Sequence, residues 1–257
     1  AVMFSPPAQT WLGYSPDPPA GYGLNPEQIA EALHAASFHD RRGLTGSNVV
    51  FAIVDTGVYK HPYFTDQDYD LNGDVYGIEA SIGGKGHGTA VTANALAIAP
   101  WVSFYSFKDD NENFENGLIR ANQVQADVIN LSIGPTESEV LKEGNPDIVE
   151  PYAGIRLQIQ NAIGRGAVVL AAAGNFGYNN WVAAIPEVIA IGGVARLGSE
   201  YVADSDASSF VSTIYDNRRV PDVTGISSPL ILPTTFWYSG NFKGWLINDF
   251  GGTSSAT

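Results

Sequence analysis

The sequence predicts an α/β fold: a doubly wound, mostly parallel sheet with helices on both faces. Two observations carry this. Short runs near residues 49–54, 102–107, 128–132, 168–172 and 188–193 are almost wholly apolar, as in strands covered on both faces. Helical stretches at 116–125 and 152–165 alternate with them, as crossover connections between parallel strands require.

The elements follow in order. The first 26 residues hold six of the fifteen prolines, with Phe4, Trp11, Tyr14 and Tyr22 between them. Proline fixes φ and lacks an N–H, so residues 1–25 read as an extended Pro/aromatic arm. Asn25-Pro26-Glu27 opens a helix, with Asn as N-cap, Pro in the first turn and an acid beside it. Ile29, Leu33 and Ala36 supply its buried stripe. Val49–Val54 begins the strand–helix rhythm, which runs to Gly193. From Tyr201 to Phe250 the chain is richer in Ser, Pro and Gly and reads as loops with short strands. Residues 26–257 are therefore expected to form one domain.

Composition narrows the function. With 13 Lys+Arg against 27 Asp+Glu, the net charge of −14 offers no basic footprint for nucleic acid or an anionic membrane. No apolar run approaches the roughly 18 residues of a membrane span. Cysteine is absent, which excludes disulfides, thiolate metal sites and cysteine nucleophiles.

Three segments carry chemistry. Asp55 directly follows the apolar run Ile53-Val54, at the strand end where open α/β sheets place their sites. His87 stands between Gly86 and Gly88, which let backbone approach closely, and imidazole is the usual base near neutrality. Ser254 lies among small residues, Gly251-Gly252-Thr253-Ser254-Ser255-Ala256. Each alone reads as a turn or a linker. Together they stand in the order Asp, His, Ser, which is the subtilisin order.

These motifs make the chain resemble the subtilisin-like serine proteases, the subtilases. D-T-G at 55–57 with His61-Pro62, G-H-G-T at 86–89 and G-T-S-x-A at 252–256 match the family's three motifs. Ser132-Ile133-Gly134, Ala172-Ala173-Gly174-Asn175, the stretch 186–194 and Pro221-Asp222-Val223 are also similar to family segments. The resemblance implies a serine endopeptidase acting through an acyl-enzyme. Ser254 would be the nucleophile, His87 the base and Asp55 its orienter, and Asn175 would donate to the oxyanion. Ser132, Ile133 and Gly134 would form one wall of the substrate slot, and Ala172, Ala173 and Gly174 the other. Their small side chains imply a roomy slot of broad apolar preference, with its floor in 178–182. His61 would be structural, and His34 and His39 surface or capping residues.

The resemblance also implies polypeptide substrates, a secreted protein and an N-terminal propeptide, with no cofactor required for the chemistry. Subtilases continue past the nucleophile into a long helix. The domain is therefore expected to be truncated just after Ser254, its remainder trimmed away or carried on a separate C-terminal fragment. The alternative function is a non-catalytic subtilase-like module that binds a peptide or partner protein.

A second signal lies between Asp55 and His87. Asp68, Asp70, Asn72, Gly73, Asp74 and Glu79 fit the EF-hand loop pattern, which gathers hard oxygens around Ca2+. Pro62 before it and Gly83-Gly84 after it deny it flanking helices. The readings are a structural calcium site on Asp68, Asp70, Asn72, Asp74 and Glu79, or an acidic solvated loop.

Overall fold

The computed structural model describes residues 23–76, 86–109, 114–234, 244–248 and 252–257. The arm as far as residue 22, Glu79 and Gly251 lie outside the described residues.

The chain begins with α1 (Pro26–Ala32) and α2 (Ala35–Arg42), then enters β1 (Val50–Asp55) and the short β2 (Val58–Tyr59). α3 (Pro62–Asp66), β3 (Leu71–Gly73) and β4 (Val75–Tyr76) precede α4 (Gly86–Ile98). The alternation continues through β5 (Ser103–Lys108), α5 (Phe114–Gln123), β6 (Val128–Leu131), α6 (Glu137–Glu143), α7 (Tyr152–Gly164) and β7 (Val168–Ala172). After α8 (Trp181–Ala184) come β8 (Ile189–Leu197), β9 (Glu200–Ala203), β10 (Phe210–Val211), β11 (Arg219–Val220) and β12 (Val223–Ser228). β13 (Leu230–Thr234), β14 (Gly244–Asn248) and α9 (Thr253–Ala256) complete it.

The main sheet runs β12-β8-β7-β6-β1-β5-β3, parallel along this path, and β9 pairs antiparallel with β8. Alternate residues of β1 enter different cores. Ala52 and Val54 pack with Leu118 of α5 and Ile155 and Ile159 of α7. Phe51 and Ile53 pack with Val91, Ala93 and Leu96 of α4. Helices therefore cover both faces, as the unbroken apolar runs predicted. The sheet grows toward β5 and β3 on one side of β1 and toward β6 and β7 on the other. The switch point thus lies between the C-terminal ends of β1 and β6, where such sheets open a crevice for ligands.

The first helix departs from expectation. It ends at Ala32, and Leu33 is its exposed C-cap rather than part of the buried stripe. His34 takes a left-handed φ of 58°, and Ala35 starts a new helix on the core side. α6 was not anticipated, although Thr136 and Glu139 form a reciprocal capping box that its sequence spacing announces.

Candidate active site

β1 delivers Asp55 as its last residue, with its side chain wholly buried. Its carboxylate accepts from the Thr56 N–H (2.6 Å) and from His87 Nδ1, at 2.8 Å from Oδ1 and 2.9 Å from Oδ2. His87 is the second residue of α4, held at Nδ1, and 37% of its side chain remains exposed. Burial of the ring works against protonation, but the Asp55 charge and hydrogen bond outweigh it and raise the His87 pKa above the ordinary imidazole value.

The two motifs are stitched together by backbone. Gly88 N–H donates to Thr56 Oγ1 (3.0 Å), and Tyr59 N–H donates to Thr89 Oγ1 (2.9 Å). Gly88 is required at this seam. A Cβ there would sit 2.5 Å from the Gly57 carbonyl oxygen and 3.0 Å from Asp55 Oδ1.

β6 ends beside β1. Ile53 is the register partner of Asn130, which brings Ser132 level with Asp55 across the switch point. Ser254, in α9, donates its hydroxyl to the Ser132 carbonyl (2.9 Å), and the Ser132 hydroxyl bonds Asn130 Oδ1 (2.7 Å) and the Ser254 carbonyl (3.2 Å). Ser254 is 9% exposed. α4 steadies the same turn through Asn94, whose amide donates to the Ser255 carbonyl at 3.0 Å.

β7 ends at Ala172, and the chain turns through Ala173, Gly174 and Asn175. Gly174 has φ of 110°, and a Cβ there would meet the Tyr178 carbonyl oxygen at 1.8 Å, so only glycine fits. Asn175 Oδ1 accepts from the Thr253 N–H (2.9 Å), which leaves the amide Nδ2–H edge beside Gly252 to donate. Thr253, fully buried, binds both the Gly174 N–H (3.0 Å) and carbonyl (3.1 Å) through Oγ1. The sequence motif contains Thr253, but its role as the clip between the Asn175 and Ser254 segments shows only in three dimensions.

The two expected walls lie on adjacent strand ends, and Asn180 joins them. Its Nδ2 donates to the Ala172 carbonyl (2.7 Å), and Gly134 leaves room for its Oδ1, which a Cβ on Gly134 would meet at 2.6 Å. Ser132, Ala172 and Ala173 are buried, Ile133 and Gly174 are half-buried, and Gly134 is exposed. Half-exposed Phe176 and Tyr178 follow Asn175 along the chain.

The acidic loop is built differently from the expected calcium site. Asp74 is bound by the Arg120 guanidinium (2.5 and 3.1 Å) and by the Lys108 N–H (2.7 Å). The Asn72 amide is a donor, to the Phe104 carbonyl. Burial pushes the Asp74 pKa up, but Arg120 and the backbone N–H of Lys108 hold it below the usual carboxylate value. Asp68, at φ 55°, and Asp70 precede β3, which pairs parallel with β5. Among the described residues no three His, Asp or Glu side chains converge to hold a metal. Of the expected calcium ligands, Asp74 is thus already engaged by Arg120 and a backbone N–H, and Glu79 lies outside the described residues. His61 is fully buried and caps α3 through Nδ1, and His39 bonds the Ile98 carbonyl; both are structural.

A carboxylate-held imidazole thus lies at the end of β1, a hydroxyl lies against the end of β6, and an amide lies just past the end of β7. The family model described as "Subtilase family" matches residues 46–257. The chain belongs to the subtilase family. It is 31% identical over 207 residues to minor extracellular protease Vpr of Bacillus subtilis (strain 168), covering 69% of this chain and 24% of that protein. It is 31% identical over 221 residues to subtilisin DY of Bacillus licheniformis, covering 72% of this chain and 74% of that one. The chain therefore spans about a quarter of the length of Vpr. The structure of prenylagaramide maturation protease PagA superposes with a TM-score of 0.60 at 18% identity, over 87% of this chain and 75% of that one. This likeness supports the subtilase fold. Among the described residues no helix is long and apolar enough to cross a membrane.

Proposed function

We propose that this subtilase is a serine endopeptidase that cleaves polypeptides through an acyl-enzyme. The observation that carries the reading is the buried Asp55 carboxylate gripping His87 Nδ1 at the switch point where Ser254 and Asn175 are clipped together. With Nδ1 held, the Nε2 edge is free to act as base. The Ser254 hydroxyl exchanges the Ser132 carbonyl for Nε2, a rotamer change, and attacks the scissile carbonyl carbon as its proton passes to His87. Asn175 Nδ2–H and the Ser254 N–H donate to the oxyanion. Collapse breaks the C–N bond, and His87 returns the proton to the leaving amine. Water then repeats the sequence on the ester and releases Ser254. Asp55 holds the tautomer throughout and stabilises the imidazolium.

The substrate slot lies between Ser132–Gly134 and Ala172–Gly174. Asn180 forms its base with its amide already engaged, and small walls with aromatic Phe176 and Tyr178 nearby favour a broad apolar preference. A site of action outside the cell is supported by the relative named as an extracellular protease. The alternative, a non-catalytic peptide-binding module, draws on one observation: Ser254 Oγ bonds the Ser132 carbonyl and not His87.

Cleavage of casein by the purified full-length protein and by its Ser254→Ala variant separates the two. The endopeptidase reading expects turnover that falls about 10⁶-fold in the variant. Equal turnover in both, or none in either, contradicts it.

A further inference from the structure

We propose that Asp204 is a positioning residue for the oxyanion donor Asn175; the inference rests on the endopeptidase reading above. Asp204 lies in the loop after β9, nearly 30 residues from Asn175 in sequence, and no motif points to it. It is 9% exposed. Four donors reach this carboxylate and the turn it organises. Ser227 Oγ (2.5 Å) and Ser228 Oγ (3.0 Å), at the end of β12, donate to Oδ2. The Asp206 N–H donates to Oδ1 (3.0 Å), and the Ala207 N–H to the Asp204 carbonyl (3.2 Å). Asp204 therefore shapes the turn 204–208 and fastens it to β12.

That turn grips the Asn175 segment from behind. The Phe176 N–H donates to the Asp206 carbonyl (2.7 Å), the Ser208 N–H donates to the Gly174 carbonyl (2.8 Å), and Asn175 bridges to Ala207. Phe176 sits at a left-handed φ of 53°, a strained conformation for a bulky residue that persists only where its neighbours are held. Thr253 holds the front of Asn175, and the Asp204 turn holds the back.

The same strand supports the nucleophile. Gly225 of β12 lies under α9, where a Cβ would come within 2.4 Å of the Ala256 carbonyl oxygen. Residues 225–228 thus seat both the Ser254 turn and, through Asp204, the Asn175 turn. The distance between the oxyanion donors is set from one strand. An error of about 1 Å in such placement costs about 10²-fold in rate.

The test is a double-mutant cycle on kcat in the full-length protein, with melting temperatures measured in parallel. Asn175→Ala is expected to lower kcat about 10²–10³-fold. Asp204→Ala is expected to lower kcat about 10²-fold with KM within about twofold, because the lost interaction serves the transition state. Asp204→Asn, which keeps the Oδ1 acceptor but can meet the Ser227 and Ser228 hydroxyls only by donating Nδ2–H to them, is expected to recover part of it. The deciding result is Asp204→Ala made in the Asn175→Ala background: no further loss supports the proposal. A loss that multiplies in that background, or an unchanged kcat in Asp204→Ala, overturns it. If Asp204→Ala does not fold, Ser228→Ala removes one donor and should show the same non-additivity at a few-fold scale; additive loss overturns the proposal. An unchanged kcat in Asn175→Ala would instead contradict the oxyanion assignment itself.

Discussion

Two carboxylates on either side of β5 are bound in nearly the same way and serve different ends. Asp55 ends β1, and its register partner on β5 is Lys108. Asp74 follows β3, on the far side of β5, and accepts the Lys108 N–H. Each carboxylate takes a backbone N–H and a cationic or ionisable side chain through both oxygens. Asp55 takes Thr56 and His87; Asp74 takes Lys108 and Arg120. The difference is the partner. Arg120 keeps its charge at every accessible pH, so its pair can only hold structure. His87 can gain and lose a proton near neutrality, so its pair can move one. Asp55 is also fully buried, whereas a quarter of the Asp74 side chain is exposed to solvent.

The largest expected break in this comparison comes from Asp55→Asn. The amide cannot hold the productive tautomer, and kcat should fall about 10⁴-fold with little change in fold, read by steady-state peptide cleavage. Gly88→Ala comes next. Its Cβ would press on the Gly57 carbonyl and Asp55 Oδ1, so a loss of about 10²-fold in kcat/KM is expected.

The pH dependence sharpens the contrast. His87 has its pKa raised in the folded protein, so the stability it contributes is full below the ordinary imidazole pKa. That stability is lost as pH rises through the raised value. Activity has the opposite slope, because only neutral His87 is a base. The acid limb of kcat/KM should therefore lie above the ordinary imidazole pKa, and calorimetry over the same window should show stability declining as activity rises. Asp74 has its pKa lowered. Its contribution is present above the ordinary carboxylate pKa and is lost as pH falls through the lower folded value.

The smallest effect is expected from Arg120→Met. This partly exposed pair is worth about 1 kcal/mol, and its loss should lower the melting temperature by about 2–4 °C while leaving kcat unchanged.

The same comparison shows how far the sequence could be read. Asp55 and His87 were legible because local pattern marks them: an acid ending an apolar strand, and an imidazole between two glycines. The Arg120 partner of Asp74 was not legible, because it lies 46 residues away and the spacing of alternating acids says nothing about an Arg arriving from α5. Leu33 was misplaced because periodicity continues through His34, where the backbone turns left-handed. The mostly parallel, helix-covered sheet followed from the unbroken apolar runs, but its strand order did not. Asp204, Asn180 and the clip made by Thr253 are tertiary facts; each joins segments that only the folded sheet brings together.

The most direct test of the account is mass-spectrometric mapping of a fluorophosphonate adduct on the full-length protein and on its His87→Ala variant. The account predicts one adduct, on Ser254, which forms in the parent and is nearly lost in the variant, because the hydroxyl reacts only when His87 takes its proton. No adduct in the parent, an adduct on another residue, or equal labelling of both proteins would contradict it.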